Sequence, residues 1–185
     1  AANPLIPLET FNLAANNDQT RPRDPARLAY AFDVELDRSS AAVWASWIDD
    51  AGLTQTKLVY TAPGVDWLLT VLGTLAPTLP DGHSFHADDG GSTRAYIDAA
   101  RLAGLQVEAV SMRELASATS DWIHSITAGS LQHDGSRELS AAVQGAVKRQ
   151  VGEVDLISRR NSTAGTSHLI ASIVATRAAI YQPAP

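Results

Sequence analysis

The 185-residue sequence contains no cysteine, and this absence removes disulfides, thiolate nucleophiles and cysteine-ligated zinc together. No apolar run approaches the roughly 18 residues that a bilayer span needs, and Ala1 to Asn17 lacks a basic region followed by an apolar core. The chain is therefore expected to be soluble and unsecreted, without a membrane partner. Two signatures are also missing. There is no glycine-rich loop ending in Gly-Lys-Ser/Thr, which excludes a nucleotide-driven motor within this stretch, and no Gly-x-Ser-x-Gly elbow for a hydrolase serine. Positive charge is scarce as well. A net charge of −6 argues against binding nucleic acid through overall electrostatics. A local basic face remains compatible with it, and carboxylates gathered around divalent ions would themselves make the total negative.

What remains is an ordinary globular composition, 45% apolar and 18% charged, long enough for one packed domain and an arm. Chemistry is left to carboxylates, histidines, hydroxyls and basic groups. Residues 1–27 show no period and are rich in turn formers such as Asn16, Asn17, Pro22 and Pro25, and are read as an arm or linker; residues 28–185 are read as the domain.

From Leu28 the pattern alternates, with Phe32, Val34 and Leu36 on one face and Asp33, Glu35 and Asp37 on the other, so a strand with an acidic side is expected. Ala42 to Ile48 and Thr54 to Thr61 read as two more strands, joined by Arg38-Ser39-Ser40 and by Asp49-Asp50-Ala51-Gly52, giving an antiparallel meander. Helical spacing follows over Asp66 to Leu79. A short strand, His83 to Ala87, runs into Asp88-Asp89-Gly90-Gly91, and Ser92 is placed as the cap of a helix through Leu102. Leu105 to Val110 reads as a strand, Met112 to Ala128 as a long helix stopped at Gly129, Arg137 to Val147 as another helix, Val154 to Arg159 as a last strand, and His168 to Ile180 as a closing helix. Three antiparallel strands followed by alternating helices and strands predict a mixed α/β sheet with helices on both faces, in the order of the RNase H-like fold.

Asp33 stands out because an acid in the middle of an apolar central strand needs a partner or a metal ion; a solvated strand face is the alternative reading. Asp88 and Asp89 close the short fourth strand. If that strand runs parallel to the first, right-handed crossover logic puts its carboxyl end beside Asp33, and the pair would suit a site holding Mg²⁺ or Mn²⁺, two ions together, through oxygen ligands. A turn in which an aspartate caps the next helix is the competing interpretation. His133-Asp134-Gly135 reads as a tight turn. Arg159 and Arg160 are candidates for DNA phosphate contacts at the last strand's end. His83 and His86 do not assemble a metal site, and Trp44, Trp47, Trp67 and Trp122 fall at core positions.

Ala31-Phe32-Asp33-Val34 with its hairpin, Thr61-Ala62-Pro63-Gly64-Val65-Asp66-Trp67, Asp88-Asp89-Gly90-Gly91, Ile126 to His133, Leu139 to Val147 with Lys148-Arg149, and Ser158-Arg159-Arg160 before an alanine-rich helix resemble, in order and spacing, the nuclease domains of phage terminase large subunits, the actinobacteriophage type in particular. The resemblance covers roughly 29–179. It implies a metal-dependent endonuclease that cuts concatemeric double-stranded DNA during genome packaging in the host cytoplasm. Its partners would be an upstream ATPase domain, the portal and the small terminase subunit. It places the catalytic acids on Asp33 and Asp88, with Asp89 as the alternative to Asp88, and it calls for a third acid just before the final helix. There the sequence reads Ser162-Thr163-Ala164-Gly165-Thr166-Ser167-His168, and no Asp or Glu follows Asp155. Asp155 or His168 is the expected substitute as a metal ligand. The other readings are a catalytically degenerate module for DNA or portal docking, and another RNase H-like nuclease such as a resolvase or transposase core.

Overall fold

Six strands carry the site: β1 (Ala29–Val34), β2 (Ser40–Ile48), β3 (Thr54–Pro63), β4 (Phe85–Asp88), β5 (Val107–Val110) and β6 (Leu131–His133). They form one sheet in the order β5-β4-β1-β2-β3-β6. The computed structural model describes residues 4–181; the outermost ends of the expected arm (1–3) and domain (182–185) lie outside the described residues. β1, β2 and β3 pair as the expected antiparallel meander, and β4 joins β1 in parallel with Phe32 opposite Ala87. β5 continues the parallel side beyond β4, and β6 adds in parallel to β3 at the far edge. The acidic strand is thus central.

Seven further elements cover the sheet or extend it: α1 (Leu8–Leu13), α2 (Leu68–Leu75), α3 (Thr93–Leu102), α4 (Met112–Ala128), α5 (Arg137–Gly145), the hairpin of β7 (Lys148–Val151) with β8 (Val154–Ile157), and α6 (Ser167–Tyr181). One face buries Phe32, Val34, Val43 and Trp47 against Leu68, Leu72 and Ile97 of α2 and α3. The other buries Ala31, Ala42 and Trp44 against Trp122, Leu139 and the apolar positions of α6. Helices on both faces and a strand order of antiparallel then parallel pairs make this a mixed α/β, RNase H-like architecture.

Local chemistry sets several boundaries. Ser111 accepts from the Glu114 N–H while Glu114 reaches back to Ser111, a reciprocal cap that starts α4, and Gly129 at φ 79° ends it. The α3 start differs from expectation: Ser92 makes no cap bond and instead donates to the Leu36 carbonyl. β8 also differs. It pairs only with β7, in a separate two-stranded sheet, so the last expected strand is half of a hairpin beside the main sheet. Residues of the expected arm belong to the core, with Phe11 buried and stacked on His133 at 4.0 Å between ring centres. His133 is therefore buried on a strand rather than part of a turn, its Nε2 2.7 Å from the Phe11 carbonyl. Among the described residues no helix is long and apolar enough to cross a membrane.

Candidate active site

The β1–β4 register puts Asp33 next to Asp88 at the carboxyl ends of adjacent parallel strands. Both are buried, Asp33 completely, which rules out the solvated-face reading for Asp33. Burial of an acid demands compensation. It comes from Arg159, whose Nη1 donates to Asp33 Oδ2 at 2.8 Å and whose Nη2 donates to Asp33 Oδ1 at 2.7 Å and to Asp88 Oδ2 at 2.9 Å. One cationic nitrogen therefore touches both carboxylates, a bidentate and charge-assisted arrangement. Thr93 at the start of α3 donates to Asp33 Oδ1 at 2.9 Å, and the Gly90 N–H donates to Asp88 Oδ1 at 3.2 Å.

Burial raises the Asp33 pKa from 3.8 to about 6, against the opposing pull of Arg159 and with a further push from the Asp88 charge. Burial also works against the Arg159 cation, but Asp33 and Asp88 outweigh it, and its pKa is raised.

The remaining expected site residues part company here. Asp89 leaves the pair and forms an ion pair with Arg94. Arg159 is not available as a free phosphate contact, its side chain being 12% exposed and committed to the two acids; Arg160 is exposed. Asp155 is exposed on β8 in a different cleft, alongside Lys148 and Glu153, because the hairpin turns it away from the sheet. His168, on the first turn of α6, accepts the Trp44 indole N–H at Nδ1 over 3.1 Å, and burial lowers its pKa. It lines a second cleft with Glu35, Glu138 and Arg159. Among the described residues no group of three His, Asp or Glu side chains is placed around one point to hold a metal ion. The donor set at the centre is two hard carboxylates, already gathered around one positive charge. It fits Mg²⁺ or Mn²⁺, which take oxygen ligands and are commonly held by one or two carboxylates, waters and substrate phosphate.

Asp88 and Arg159 open onto a cleft of about 560 Å³ whose walls include Arg149 and Arg160. Sequence reasoning located Asp33 and Asp88 but missed Thr93, the clamp role of Arg159, and Glu35. The Glu35 Oε1 accepts the N–H groups of Thr166 and Ser167 at 2.8 and 2.7 Å.

The sequence matches no protein-family model and no curated protein. Solved structures do match. The large terminase of bacteriophage HK97 superposes with a TM-score of 0.67 at 12% identity, over 92% of this chain and 43% of that one. The large terminase nuclease of thermophilic phage G20c with bound magnesium superposes with a TM-score of 0.66 at 9% identity, over 96% of this chain and 98% of that one. A large terminase from another thermophilic bacteriophage, in complex with ATP-γ-S, gives 0.59 at 10% identity, over 92% and 44%. The chain thus spans less than half of the two large terminases and nearly all of the excised nuclease. It has the RNase H-like fold of phage large-terminase nuclease domains.

Proposed function

We propose that this domain is a metal-dependent endonuclease that hydrolyses double-stranded DNA, the cutting domain of a genome-packaging terminase. The observation that carries the proposal is the convergence of Asp33 and Asp88 on one cation position at the mouth of an arginine-lined cleft. The match to a nuclease with bound magnesium supports it. Asp33 and Asp88 would hold the divalent ions, two in the full reading. When bound, such ions activate water and stabilise the departing 3′ oxygen of the phosphodiester.

The rest falls to this chain. Thr93 fixes the Asp33 rotamer through its hydroxyl, and the Gly90 N–H does the same for Asp88. Arg159 neutralises the pair in the ion-free protein, its planar fork meeting both carboxylates. Arg149 and Arg160 would position the DNA backbone along the cleft. In the packaging machine the partners are an upstream ATPase domain, the portal and the small terminase subunit, acting in the host cytoplasm. The thermophilic-phage large terminase solved with ATP-γ-S supports the first of these.

The same Arg159 clamp favours a second reading, a silent nuclease fold kept for DNA or portal docking, in which the guanidinium permanently replaces the metal. Cleavage of supercoiled plasmid in Mn²⁺ or Mg²⁺ separates the two. Wild-type protein is expected to nick and linearise the plasmid, and Asp33→Asn and Asp88→Asn to fall to the metal-free background. An inactive wild type that also takes up no Mn²⁺ by calorimetry would end the reading of the isolated domain as a catalyst and leave the docking role.

A further inference from the structure

Asp33 has no exposed surface, and it lines neither of the two clefts that meet at the site, one of about 560 Å³ beside Asp88 and one of about 710 Å³ beside Glu35. Arg159 lines both. Its guanidinium lies between the two carboxylates: Nη2 is within 2.9 Å of an oxygen of each, and Nη1 donates to Asp33 Oδ2 and, at 3.3 Å, to the Val34 carbonyl. A cation entering from solvent therefore reaches Asp33 only if the guanidinium leaves.

Arg159 is placed so that it can leave. It belongs to the turn after β8 and not to the main sheet. Its stem passes Gly91, where an added Cβ would lie 3.2 Å from Nε and 3.3 Å from Cδ, so its path crosses a residue with no side chain. With open volume on either side, rotation of this one side chain uncovers both acids. Two buried carboxylates without a partner are costly, so departure requires another cation between them. The guanidinium in turn needs another anion, because it would enter a cleft that already holds the exposed Arg149 and Arg160. A phosphodiester supplies that anion, with charge-assisted hydrogen bonds in place of the ones given up. We propose that Arg159 is a gate coupling ion and DNA binding: in the free protein it occupies the cation position between Asp33 and Asp88, and a divalent ion takes that position as a DNA phosphate takes the guanidinium. The inference rests on the reading of Asp33 and Asp88 as metal ligands. By linkage, ion and DNA then raise each other's affinity by the same factor.

Calorimetry with Mn²⁺ alone on the metal-free protein reads the gate without relying on activity. Arg159→Gln, which removes the charge, is expected to bind Mn²⁺ roughly tenfold more tightly than wild type. Fluorescence anisotropy with a short phosphorothioate duplex, at constant ionic strength, reads the coupling. Mn²⁺ should raise the duplex affinity of wild type by roughly tenfold and that of Arg159→Gln by less than about twofold. Asp33→Asn should show no gain beyond that of the variant, which sets the level for ions bound to the DNA alone. Equal Mn²⁺ affinities in wild type and Arg159→Gln would show that the ion does not take the guanidinium's place, and the gate falls while the nuclease reading stands. Tighter Mn²⁺ binding by the variant with equal duplex gains would strike out the coupling and leave Arg159 a mere competitor of the ion. If wild type takes up no Mn²⁺ even with duplex while Arg159→Gln does, the guanidinium is permanent and the docking role replaces the gate. If neither protein binds Mn²⁺, the metal reading falls and takes the gate with it. Should Arg159→Gln fail to fold without ions, Arg159→Lys, which keeps the charge but not the fork, decides by the same two measurements, its Mn²⁺ affinity expected to rise and its duplex gain to shrink.

Discussion

At Asp33, a carboxylate with no exposed surface is held against its own desolvation by one arginine and one threonine hydroxyl. Burial dominates, and the folded pKa near 6 lies above the ordinary 3.8. The sign follows from proton linkage: the folded state binds this proton more tightly than the unfolded chain does, so the contribution to stability is complete below pH 4 and is lost as pH rises through about 6. Asp33→Asn cannot titrate. In metal-free protein, the unfolding free energy of wild type is therefore expected to drop relative to Asp33→Asn by about 2 kcal/mol between pH 4 and 7, an order-of-magnitude figure from about 1.4 kcal/mol per pKa unit. Urea unfolding of both proteins across that range measures it, and a constant gap would mean that Arg159 fully offsets burial. Asp33 and Asp88 were legible in the sequence because an acid inside an apolar strand, and another at a strand end before Gly90-Gly91, have few structural uses. Arg159 could not be told from Arg160, since only the direction in which β8 leaves its hairpin decides which one turns inward. Period two puts Glu35 on one face with Asp33 and Asp37 but does not reveal what covers that face. The cover is α6, more than a hundred residues away.

The α6 helix is buried nearly all round, with Leu169 to Thr176 forming an unbroken buried run. It lies across β1, β2 and β3, and Ala171, Ala175 and Ala178 let it approach the sheet closely. A helix this enclosed must settle its polar groups internally. Ser46 donates to Thr56 at 3.0 Å and lies 3.2 Å from the Thr176 hydroxyl, Thr56 lies 2.8 Å from Ser172 Oγ, and the Trp122 indole N–H donates to Ser172 at 3.1 Å. Ser172 thus joins sheet, α4 and α6. Ser172→Ala is expected to cost about 1–3 kcal/mol, because it strands the Trp122 N–H and removes a partner from Thr56. In a Trp122→Phe background the same change should cost less, and the difference between the two urea-unfolding results is the coupling. Equal costs in both backgrounds would show that the indole bond contributes nothing. The long elements were readable because their signals are local: the Ser111 and Glu114 cap with Gly129 bound α4, and alternation marks β1. The three-residue β6 and the β7–β8 pairing were not readable, since three residues carry no period and a strand's sequence does not say which sheet it joins.

For the molecule as a whole, a net charge of −6 has to be reconciled with the proposed polyanionic substrate. The topology supplies the means by concentrating positive charge where β4, β8 and the segment before α6 meet. Arg149 and Arg160 line the cleft beside Asp88, and both are exposed. Two or three phosphate contacts imply a shallow salt dependence, since each neutralised phosphate contributes about −0.9 to the slope of log K against log salt for duplex DNA. The binding slope of this domain for a short duplex is expected to be about −2 to −3 by fluorescence anisotropy. Arg149→Ala and Arg160→Ala should each make it shallower by about 1 and weaken binding alike for unrelated sequences, the signature of backbone rather than base contacts. A slope unchanged by both substitutions would put the DNA on another face and remove the cleft from the mechanism. A chain that spans 43% of a whole large terminase need not bind DNA tightly by itself, provided that its weak contacts place the strand at Asp33 and Asp88.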